Sequence, residues 1–338
     1  MALSITLTQP GRGSLFLNLH TFLDTTDEYS ELTKDRRHVL IWIDNPVTLA
    51  QNHYEGVFKM SKKVGFIGLG DIGLPMAKRV VTSGFETAVC GHVRREPVEE
   101  MKGLGAKEVK TPKEVAEASD VVITMVRDDN DTAQVVLGSD GVLQGSRPGS
   151  GVILMSTLSP AFCRRVGEAA RAKGVNVLDA PVVGARIRAA TGELGISVGG
   201  DKNVLEKYRP VLETMGKITY CGDLGMGQIV KLVNNMAVAC NSWALAEAIA
   251  WGIKNGADEE LLVEHLKIGS GNSWSVQNWE YTKSMFTDPP PITYHLGAKD
   301  LTYALHIGLE IGQPCPLVGL TCELYKGPPP KIPQTSGG

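Results

Sequence analysis

Short apolar segments alternate with helix-like patterns through the middle of the sequence. The segments that predict strands are residues 64–67, 87–90, 121–126, 152–155, 175–178, 196–198 and 218–220. Strands that alternate with helices form a largely parallel sheet with helices on both of its faces. The pattern therefore predicts an α/β domain.

The strand signals end after Gly227. Long segments rich in Ala, Leu and Glu follow at residues 228–254, 258–268 and 294–311. This change from α/β to all-α places a domain boundary within residues 222–227. We therefore predict an α/β domain at residues 61–224, followed by an all-α domain at residues 225–326.

The two ends of the chain fit neither pattern. Residues 1–60 have no sustained period of two or 3.6 beyond a short apolar run at residues 38–43, which would form one strand. From Met60 the sequence MSKKVGFIGLG looks like the natural opening of a domain. We therefore expect residues 1–60 to be an extension of unknown role that is disordered or not native, with a real domain as the alternative. The Pro- and Gly-rich residues 327–338 cannot continue a helix and predict a flexible tail.

Composition and charge fit an ordinary soluble protein. The 338 residues are 43% hydrophobic and 21% charged, which is typical of globular domains. The net charge of −3 gives no overall attraction to nucleic acid or to an anionic membrane, so we expect neither partner. The apolar residues 236–253 are interrupted by Asn241, Ser242 and Glu247, which indicates a helix buried in protein rather than a membrane span.

The cysteines and the first residues of the sequence indicate the cellular compartment in which the protein is expected. The six cysteines are dispersed, without a CxxC pair or a histidine at zinc-finger spacing, so we predict reduced thiols and no metal site. The first residues lack the charged start, clean apolar run and cleavage site of a secretory signal. These features predict a cytoplasmic location, with a mitochondrial presequence as the alternative.

A glycine-rich turn is the strongest local motif. It directly follows the predicted strand 64–67 and opens a helical run, and its residues are Gly68, Leu69, Gly70, Asp71, Ile72 and Gly73. In this context the first glycine permits the turn, the second lets the backbone approach a pyrophosphate, and the third allows close packing of helix and strand. The N–H groups of the helix start then bind phosphate. The motif predicts a dinucleotide site, and the alternative is an ordinary turn between strand and helix.

The residues at the end of the next predicted strand indicate which dinucleotide binds. A site that prefers NAD usually has Asp or Glu there, about 20 residues after the glycines. Residues 89–95 contain no acid but include His92, Arg94 and Arg95. Because these groups can bind a 2′-phosphate through charged hydrogen bonds, we expect NADP, with NAD as the alternative cofactor. The alternative for the two arginines is that both are exposed to solvent at the start of a helix and bind no cofactor.

Five segments together point to a known family. They are GFIGLGDIGLPMAKRV, STLSP at residues 156–160, LDAPVVGARIRAATGELGISVGG at 178–200, GMGQIVKLVNN at 225–235 and KDL at 299–301. In this order the chain resembles the β-hydroxyacid dehydrogenases over roughly residues 62–325, a group that includes 3-hydroxyisobutyrate dehydrogenase and tartronate semialdehyde reductase. The resemblance implies a Rossmann-type cofactor domain, a helical domain that supports dimerisation, and an active site in the cleft between them.

The resemblance also identifies the reacting pair, Lys231 and Asn235. They are four residues apart in the predicted helix 228–254 and therefore lie on one face. Hydride transfer needs a group that takes the hydroxyl proton in oxidation and returns it in reduction. The resemblance implies that Lys231 is this group. Asn235 can both donate and accept a hydrogen bond, so we expect it to orient the substrate and to hold the lysine. The alternative is a lysine that extends from the helix to solvent. Since a lysine with the ordinary pKa of about 10.4 is a poor base near neutrality, we expect the site to lower its pKa by burial or nearby cations.

The remaining site residues are also implied by the resemblance. The loop that holds the substrate acid usually reads DAPVSGG, whereas residues 179–185 read DAPVVGA, with Val183 in place of serine and Ala185 in place of glycine. Because a hydroxyl donor is missing, backbone N–H groups around Gly184 are left to bind the carboxylate, and a changed substrate preference follows. The implied cofactor contacts are Met125, Val126, Thr157 and Lys299.

These observations predict an NAD(P)-dependent, metal-independent oxidoreductase. Its substrate would be a small hydroxy acid or the aldehyde or keto partner of that acid. Two alternatives stay open at this point, an imine reductase on the same fold and a non-catalytic dinucleotide-binding scaffold. We expect a homodimer or a higher homo-oligomer.

Overall fold

The computed structural model describes residues 63–91 and 93–333, together with the backbone of two short strands nearer the start. Residues 1–54 and residues 55–338 form separate compact units. In the first unit, β1 (Ile5–Thr8) pairs antiparallel with β2 (Phe16–Leu19). The sequence pattern did not predict this pair, and the strand predicted at residues 38–43 lies outside the described residues.

Six parallel strands form the centre of the second unit. They are β3 (Lys63–Ile67), β4 (Glu86–Cys90), β5 (Lys107–Val109), β6 (Val121–Thr124), β7 (Gly151–Leu154) and β8 (Asn176–Asp179). Across the sheet they lie in the order β5-β4-β3-β6-β7-β8. This is the 3-2-1-4-5-6 order of Rossmann folds, so the predicted fold is confirmed. Every residue of β6 and β7 is buried, which explains why these strands are continuous apolar runs.

Three further strands extend the sheet beyond β8. β10 (Leu194–Gly200) is antiparallel to β8 and parallel to β11 (Gly216–Gly222), and the two-residue β9 (Val182–Val183) also pairs with β10. No sequence pattern predicted β5 or β9. The first carries the polar residues Lys107 and Glu108 at an edge of the sheet, and the second is too short to show a period.

Helices cover both faces of the sheet. They are α1 (Gly73–Thr82), α2 (Glu96–Gly103), α3 (Pro112–Glu117), α4 (Asp129–Leu137), α5 (Val142–Gly145), α6 (Pro160–Arg171), α7 (Ala185–Thr191) and α8 (Lys202–Glu213). In α1 the buried residues Met76, Ala77 and Val80 share one face, as the 3.6-residue period requires. They pack against the strand residues Val64 and Phe66 in the core of the sheet. This packing fixes the start of α1 above the end of β3.

The rest of the described chain is helical. It consists of α9 (Met226–Lys254), α10 (Glu259–Ile268), α11 (Trp274–Gln277), α12 (Trp279–Ser284), α13 (Ile292–Glu310) and α14 (Pro316–Leu324). The three long helices predicted from the sequence are confirmed as α9, α10 and α13. Trp243 of α9 lies at the centre of this part, with its ring edge-on to Phe286 at 5.5 Å and to Tyr325 at 5.8 Å between centroids. Ile332 of the predicted tail also packs here, whereas residues 334–338 lie outside the described range.

Helix α9 is also notable for its length and apolar character. Among the described residues it alone is long and apolar enough to cross a membrane by those two criteria. Helices in the cores of other folded proteins have the same length and apolar character. Lys231 and Glu247 interrupt its apolar sequence. The absence of a membrane partner stays a prediction.

Candidate active site

The glycine turn joins the end of β3 to the start of α1. Gly68 has a φ of +99°, and a Cβ there would lie 2.2 Å from the carbonyl oxygen of Met125. A Cβ on Gly73 would lie 1.9 Å from the carbonyl oxygen of Gly68. Larger residues are therefore excluded at both positions by the close approach of β3, α1 and the end of β6.

The turn leaves hydrogen-bond donors and space for a ligand. Helix α1 has no side-chain cap and no acidic residue in its first turn. The N–H of Leu74 donates to the carbonyl of Gly70 at 2.9 Å and Pro75 has no N–H, so the N–H groups of the turn before Leu74 are those left to an anion. Gly70 faces open space, since a Cβ there would meet nothing within 4 Å. Asp71 is exposed, whereas Leu69 and Ile72 pack against the core. The described residues thus fit a dinucleotide pyrophosphate held at this turn.

The predicted 2′-phosphate site contains two arginines in different environments. Arg95 is paired with two carboxylates, with Nη1 2.5 Å from Glu108 Oε1 and Nη2 2.7 Å from Glu99 Oε1. Arg94 is exposed and makes no ion pair or hydrogen bond with the described residues. Arg95 is therefore already neutralised, contrary to the expectation that both arginines are available, and Arg94 is left as the available cation. His92 lies outside the described residues.

The carboxyl ends of β3, β6 and β7 meet beside the glycine turn. The backbone N–H of Met125 donates to the carbonyl of Ile67 at 2.8 Å. The N–H of Val126 donates to Ser156 Oγ at 2.9 Å. The structure therefore brings two of the expected cofactor contacts, Met125 and Val126, next to Gly68 and to the segment that contains Thr157. We name residues 156–158 the cofactor loop.

A chain of polar contacts links the cofactor loop to two helices. The Nζ of Lys299 on α13 donates to the carbonyl oxygen of Thr157 at 2.6 Å and lies 3.0 Å from Asp300 Oδ1. The other carboxylate oxygen of Asp300 accepts from Asn235 Nδ2 on α9 at 2.6 Å. Thr157, Lys299 and Asn235 are far apart in the sequence, and the fold places them in one connected group.

Lys231 lies one turn before Asn235 on the same face of α9 and is partly buried. Burial lowers the pKa of its amine, the positive charge of Lys299 lowers it further, and the negative charge of Asp300 opposes both effects. Within the described chain Lys231 donates no hydrogen bond, so its amine is available to a substrate. A lysine with a lowered pKa can exchange a proton nearer to neutral pH than an exposed lysine can.

Two family-level sequence models match the chain. The model of the NAD binding domain of 6-phosphogluconate dehydrogenase matches residues 63–223. The model described as NAD-binding of NADP-dependent 3-hydroxyisobutyrate dehydrogenase matches residues 225–328. The NAD-dependent L-serine dehydrogenase of Pseudomonas aeruginosa is 33% identical over 273 residues, which cover 78% of this chain and 91% of that protein. The chain belongs to the β-hydroxyacid dehydrogenase family.

Two further relatives support this membership. The mitochondrial 3-hydroxyisobutyrate dehydrogenase of mouse is 32% identical over 271 residues, which cover 78% of this chain and 81% of that protein. The solved structure of Mycobacterium tuberculosis 3-hydroxyisobutyrate dehydrogenase with L-serine superposes with a TM-score of 0.68 at 30% identity, covering 79% of this chain and 93% of that chain. The fold and the family expected from the sequence motifs are thus confirmed.

The predicted substrate loop, residues 179–185, departs from the usual sequence of the β-hydroxyacid dehydrogenases. Val183 pairs with Gly195 in β10, and Gly184 has a φ of +125°. Ala185 has a φ of +53°, a conformation that glycine adopts more readily than alanine does. Among the described residues no hydrogen bond or ion pair joins this loop to Lys231 or Asn235. The substrate-binding roles of Val183, Gly184 and Ala185 therefore stay predictions.

Two buried polar residues join the site through contacts that the sequence did not predict. Asp179 is at the end of β8 and fully buried, and burial raises its pKa to about 6, although two backbone hydrogen bonds act in the opposite direction. Gln228, also fully buried, lies in the first turn of α9. Its position three residues before Lys231 was the one sequence signal for a role of Gln228 in the site, but its partners are distant in the sequence.

Proposed function

We propose that the protein interconverts a small hydroxy acid and its aldehyde or keto partner by hydride transfer. The observation that carries this proposal is the partly buried amine of Lys231, whose pKa is lowered and which donates no hydrogen bond to any described residue. It lies next to Asn235, and the contacts of Asn235 lead through Asp300 and Lys299 to the cofactor loop. A proton-transfer group is thus connected to the carboxyl ends of the strands, where the sheet fits a dinucleotide.

The roles of the side chains follow from their chemistry. The bound nicotinamide supplies the hydride acceptor or donor. In oxidation, neutral Lys231 takes the proton of the substrate hydroxyl, and in reduction the Lys231 ammonium returns it. The amide of Asn235 is held by Asp300, so it presents a fixed group to orient the substrate oxygen. Lys299 fixes the carbonyl of Thr157 and with it the cofactor loop.

The substrate class is supported by the relatives. Those described above are named for L-serine and for 3-hydroxyisobutyrate, both of which carry a hydroxyl and a carboxylate. They favour a hydroxy acid over the imine reductase and scaffold alternatives. The test is a panel of small 2- and 3-hydroxy acids, their semialdehydes and cyclic imines, followed by absorbance of the reduced nicotinamide. Turnover confined to imines, or no turnover at all, would contradict the proposal.

The proposed cofactor preference is NADP, and it depends on Arg94. Arg94 is exposed and unpaired among the described residues, next to the end of β4, where a 2′-phosphate would lie. Replacing Arg94 with alanine is expected to weaken NADP binding by about 10- to 100-fold, because one charged hydrogen bond contributes roughly 1.5–3 kcal/mol. NAD lacks the 2′-phosphate, so its affinity is expected to stay unchanged. Fluorescence titration with both reduced cofactors measures this difference.

Arg95→Ala is the matched control for Arg94→Ala. Because the carboxylates of Glu99 and Glu108 already hold Arg95, its loss is expected to leave the affinity for NADP nearly unchanged. A loss of NADP affinity only in the Arg95 variant would reverse this assignment. A preference of the unmodified protein for NADH would show that the proposed cofactor is wrong.

The oligomeric state and the location stay predictions. We propose a homodimer or a larger homo-oligomer in the cytoplasm. Light scattering of the purified protein and fractionation of the source cells test these two points, and a monomer or an organelle fraction would contradict them.

A further inference from the structure

The side chain of Gln228 joins α9 to the cofactor loop. Its Nε2 donates to the carbonyl oxygen of Ser156 at 2.9 Å, and its Oε1 accepts from the N–H of Leu158 at 3.0 Å. These two bonds enclose Thr157, whose own carbonyl is held by Lys299. Gln228 is fully buried, so water does not compete for these bonds.

The backbone of the same helical turn is held separately. Asp179 Oδ1 accepts from the N–H of Gly225 at 2.6 Å, and its Oδ2 accepts from the N–H of Gln228 at 2.8 Å. A Cβ on Gly227 would lie 2.3 Å from the carbonyl oxygen of Ser197 in β10, so the helix start directly abuts the sheet. The first turn of α9 is therefore fixed to both β8 and β10.

Lys231 follows Gln228 by three residues, which is about 4.5 Å along a helix axis. No hinge residue separates them, because α9 is a continuous helix from Met226 to Lys254. The position of the Lys231 amine relative to the cofactor loop therefore depends on how this turn is held, by the side chain of Gln228 toward the loop and by Asp179 at its backbone. Hydride and proton transfer are sensitive to this geometry, since a misplacement of about 1 Å can lower the rate roughly 100-fold.

We propose that Gln228 is a positioning residue that holds the Lys231 amine at a fixed place relative to the cofactor loop, while Asp179 anchors the backbone of the same turn. This inference rests on the proposed hydride-transfer function. Gln228 acts through its two bonds and does not itself exchange a proton with the substrate. An amide suits this role because it donates to the carbonyl of Ser156 and accepts from the N–H of Leu158 at the same time.

Two variants of Gln228 test the inference. Gln228→Met keeps the length of the side chain but loses both hydrogen bonds. Gln228→Glu keeps the acceptor for the N–H of Leu158, but when ionised it places a second oxygen against the carbonyl of Ser156. A protonated glutamic acid restores the donor, so the activity of this variant relative to the unmodified protein is expected to recover as the pH falls. The matched control is Gln277→Met, the same change at an exposed glutamine of the helical part.

The first measurement is kcat in the direction of reduction. In this direction Lys231 must be protonated, so acid does not remove the active form of Lys231. For Gln228→Met we expect kcat to fall about 10- to 100-fold. The affinity for the dinucleotide is expected to fall less than kcat, because Lys299 still holds the carbonyl of Thr157. Gln228→Glu is expected to regain activity at low pH, whereas Gln228→Met is not. Unchanged kcat in Gln228→Met, or no recovery of Gln228→Glu with acid, overturns the inference. Failure of both variants to fold also overturns it, because the side chain would then serve the fold itself.

A second measurement does not depend on turnover. The amine of Lys231 can be acetylated at a series of pH values and the extent read by mass spectrometry, with Lys254 at the exposed end of the same helix as the internal reference. In Gln228→Met the pKa of Lys231 is expected to move back toward its ordinary value of 10.5, because the amine is no longer held in its partly buried place. An unchanged pKa overturns the inference even if the substrate panel fails, so this failure is distinguishable from failure of the proposed function.

Discussion

Replacing Lys231 with alanine is expected to lower kcat by roughly 10²- to 10⁴-fold, the range by which general acid–base groups accelerate reactions. The variant has no group at this position that can take or return the substrate proton. The affinity for the dinucleotide is expected to stay nearly unchanged, because the glycine turn and Arg94 lie on other elements. Steady-state kinetics and cofactor titration of the same preparation separate the two effects.

Lys254→Ala is the matched control for this change. It removes a lysine from the exposed end of the same helix and is expected to leave kcat unchanged. Retained turnover in the Lys231 variant would refute the assignment of the proton-transfer group. A fall in both variants would point to the helix as a whole rather than to the amine.

The pH dependence of the unmodified protein provides a second check on Lys231. Burial lowers the pKa of this amine below 10.5, so the neutral form appears at lower pH than for an exposed lysine. The rate of oxidation is expected to rise as the pH increases through that lowered pKa, because the neutral amine is the base. The rate of reduction is expected to fall over the same range, because the ammonium is the acid. Neither of these two pH dependences is expected in the residual activity of Lys231→Ala.

Replacing Gly70 with alanine is expected to weaken dinucleotide binding while leaving the free energy of unfolding nearly unchanged. A methyl group at this position meets nothing within 4 Å in the protein, so the fold accommodates it. In the complex it would occupy the space through which the pyrophosphate approaches the turn. A steric conflict of about 1–3 kcal/mol corresponds to a loss of roughly 5- to 150-fold in affinity. Cofactor titration and thermal unfolding measure the two quantities.

Two other glycines complete this test. Gly103→Ala is the matched control, because a Cβ there also meets nothing within 4 Å but lies at the end of α2. It is expected to change neither affinity nor stability. Gly73→Ala is expected to lower stability as well as affinity, since its Cβ would lie 1.9 Å from the carbonyl oxygen of Gly68. Full cofactor affinity in Gly70→Ala would show that the dinucleotide does not approach this turn.

Much of the fold and part of the site could be predicted from local pattern. The apolar segments at β3, β6 and β7 predicted buried parallel strands because both faces of such strands are covered. The spacing of Gly68, Gly70 and Gly73 between a predicted strand and a predicted helix indicated the cofactor turn. Neither inference needed knowledge of contacts distant in the sequence.

Other features depended on pairings that no local pattern records. The short strand β5 is polar at a sheet edge, so it has no apolar signal. Arg94 and Arg95 are adjacent and chemically equivalent in the sequence, yet Glu108 of β5 pairs with Arg95 and leaves Arg94 available. The ion pair forms only because β5 lies beside β4 in the sheet.

The sequence by itself determined that the chain contains a dinucleotide turn followed by a helix that carries Lys231 and Asn235, because the spacing along one strand or one helix is a local property. The tertiary structure decided how these parts are held together. Asp179, Gln228 and Lys299 act through partners that are 46 to 142 positions away in the chain, and only folding brings those atoms within hydrogen-bond distance. The lowered pKa of the Lys231 amine has the same origin, since its main cause is burial, which only the folded chain supplies.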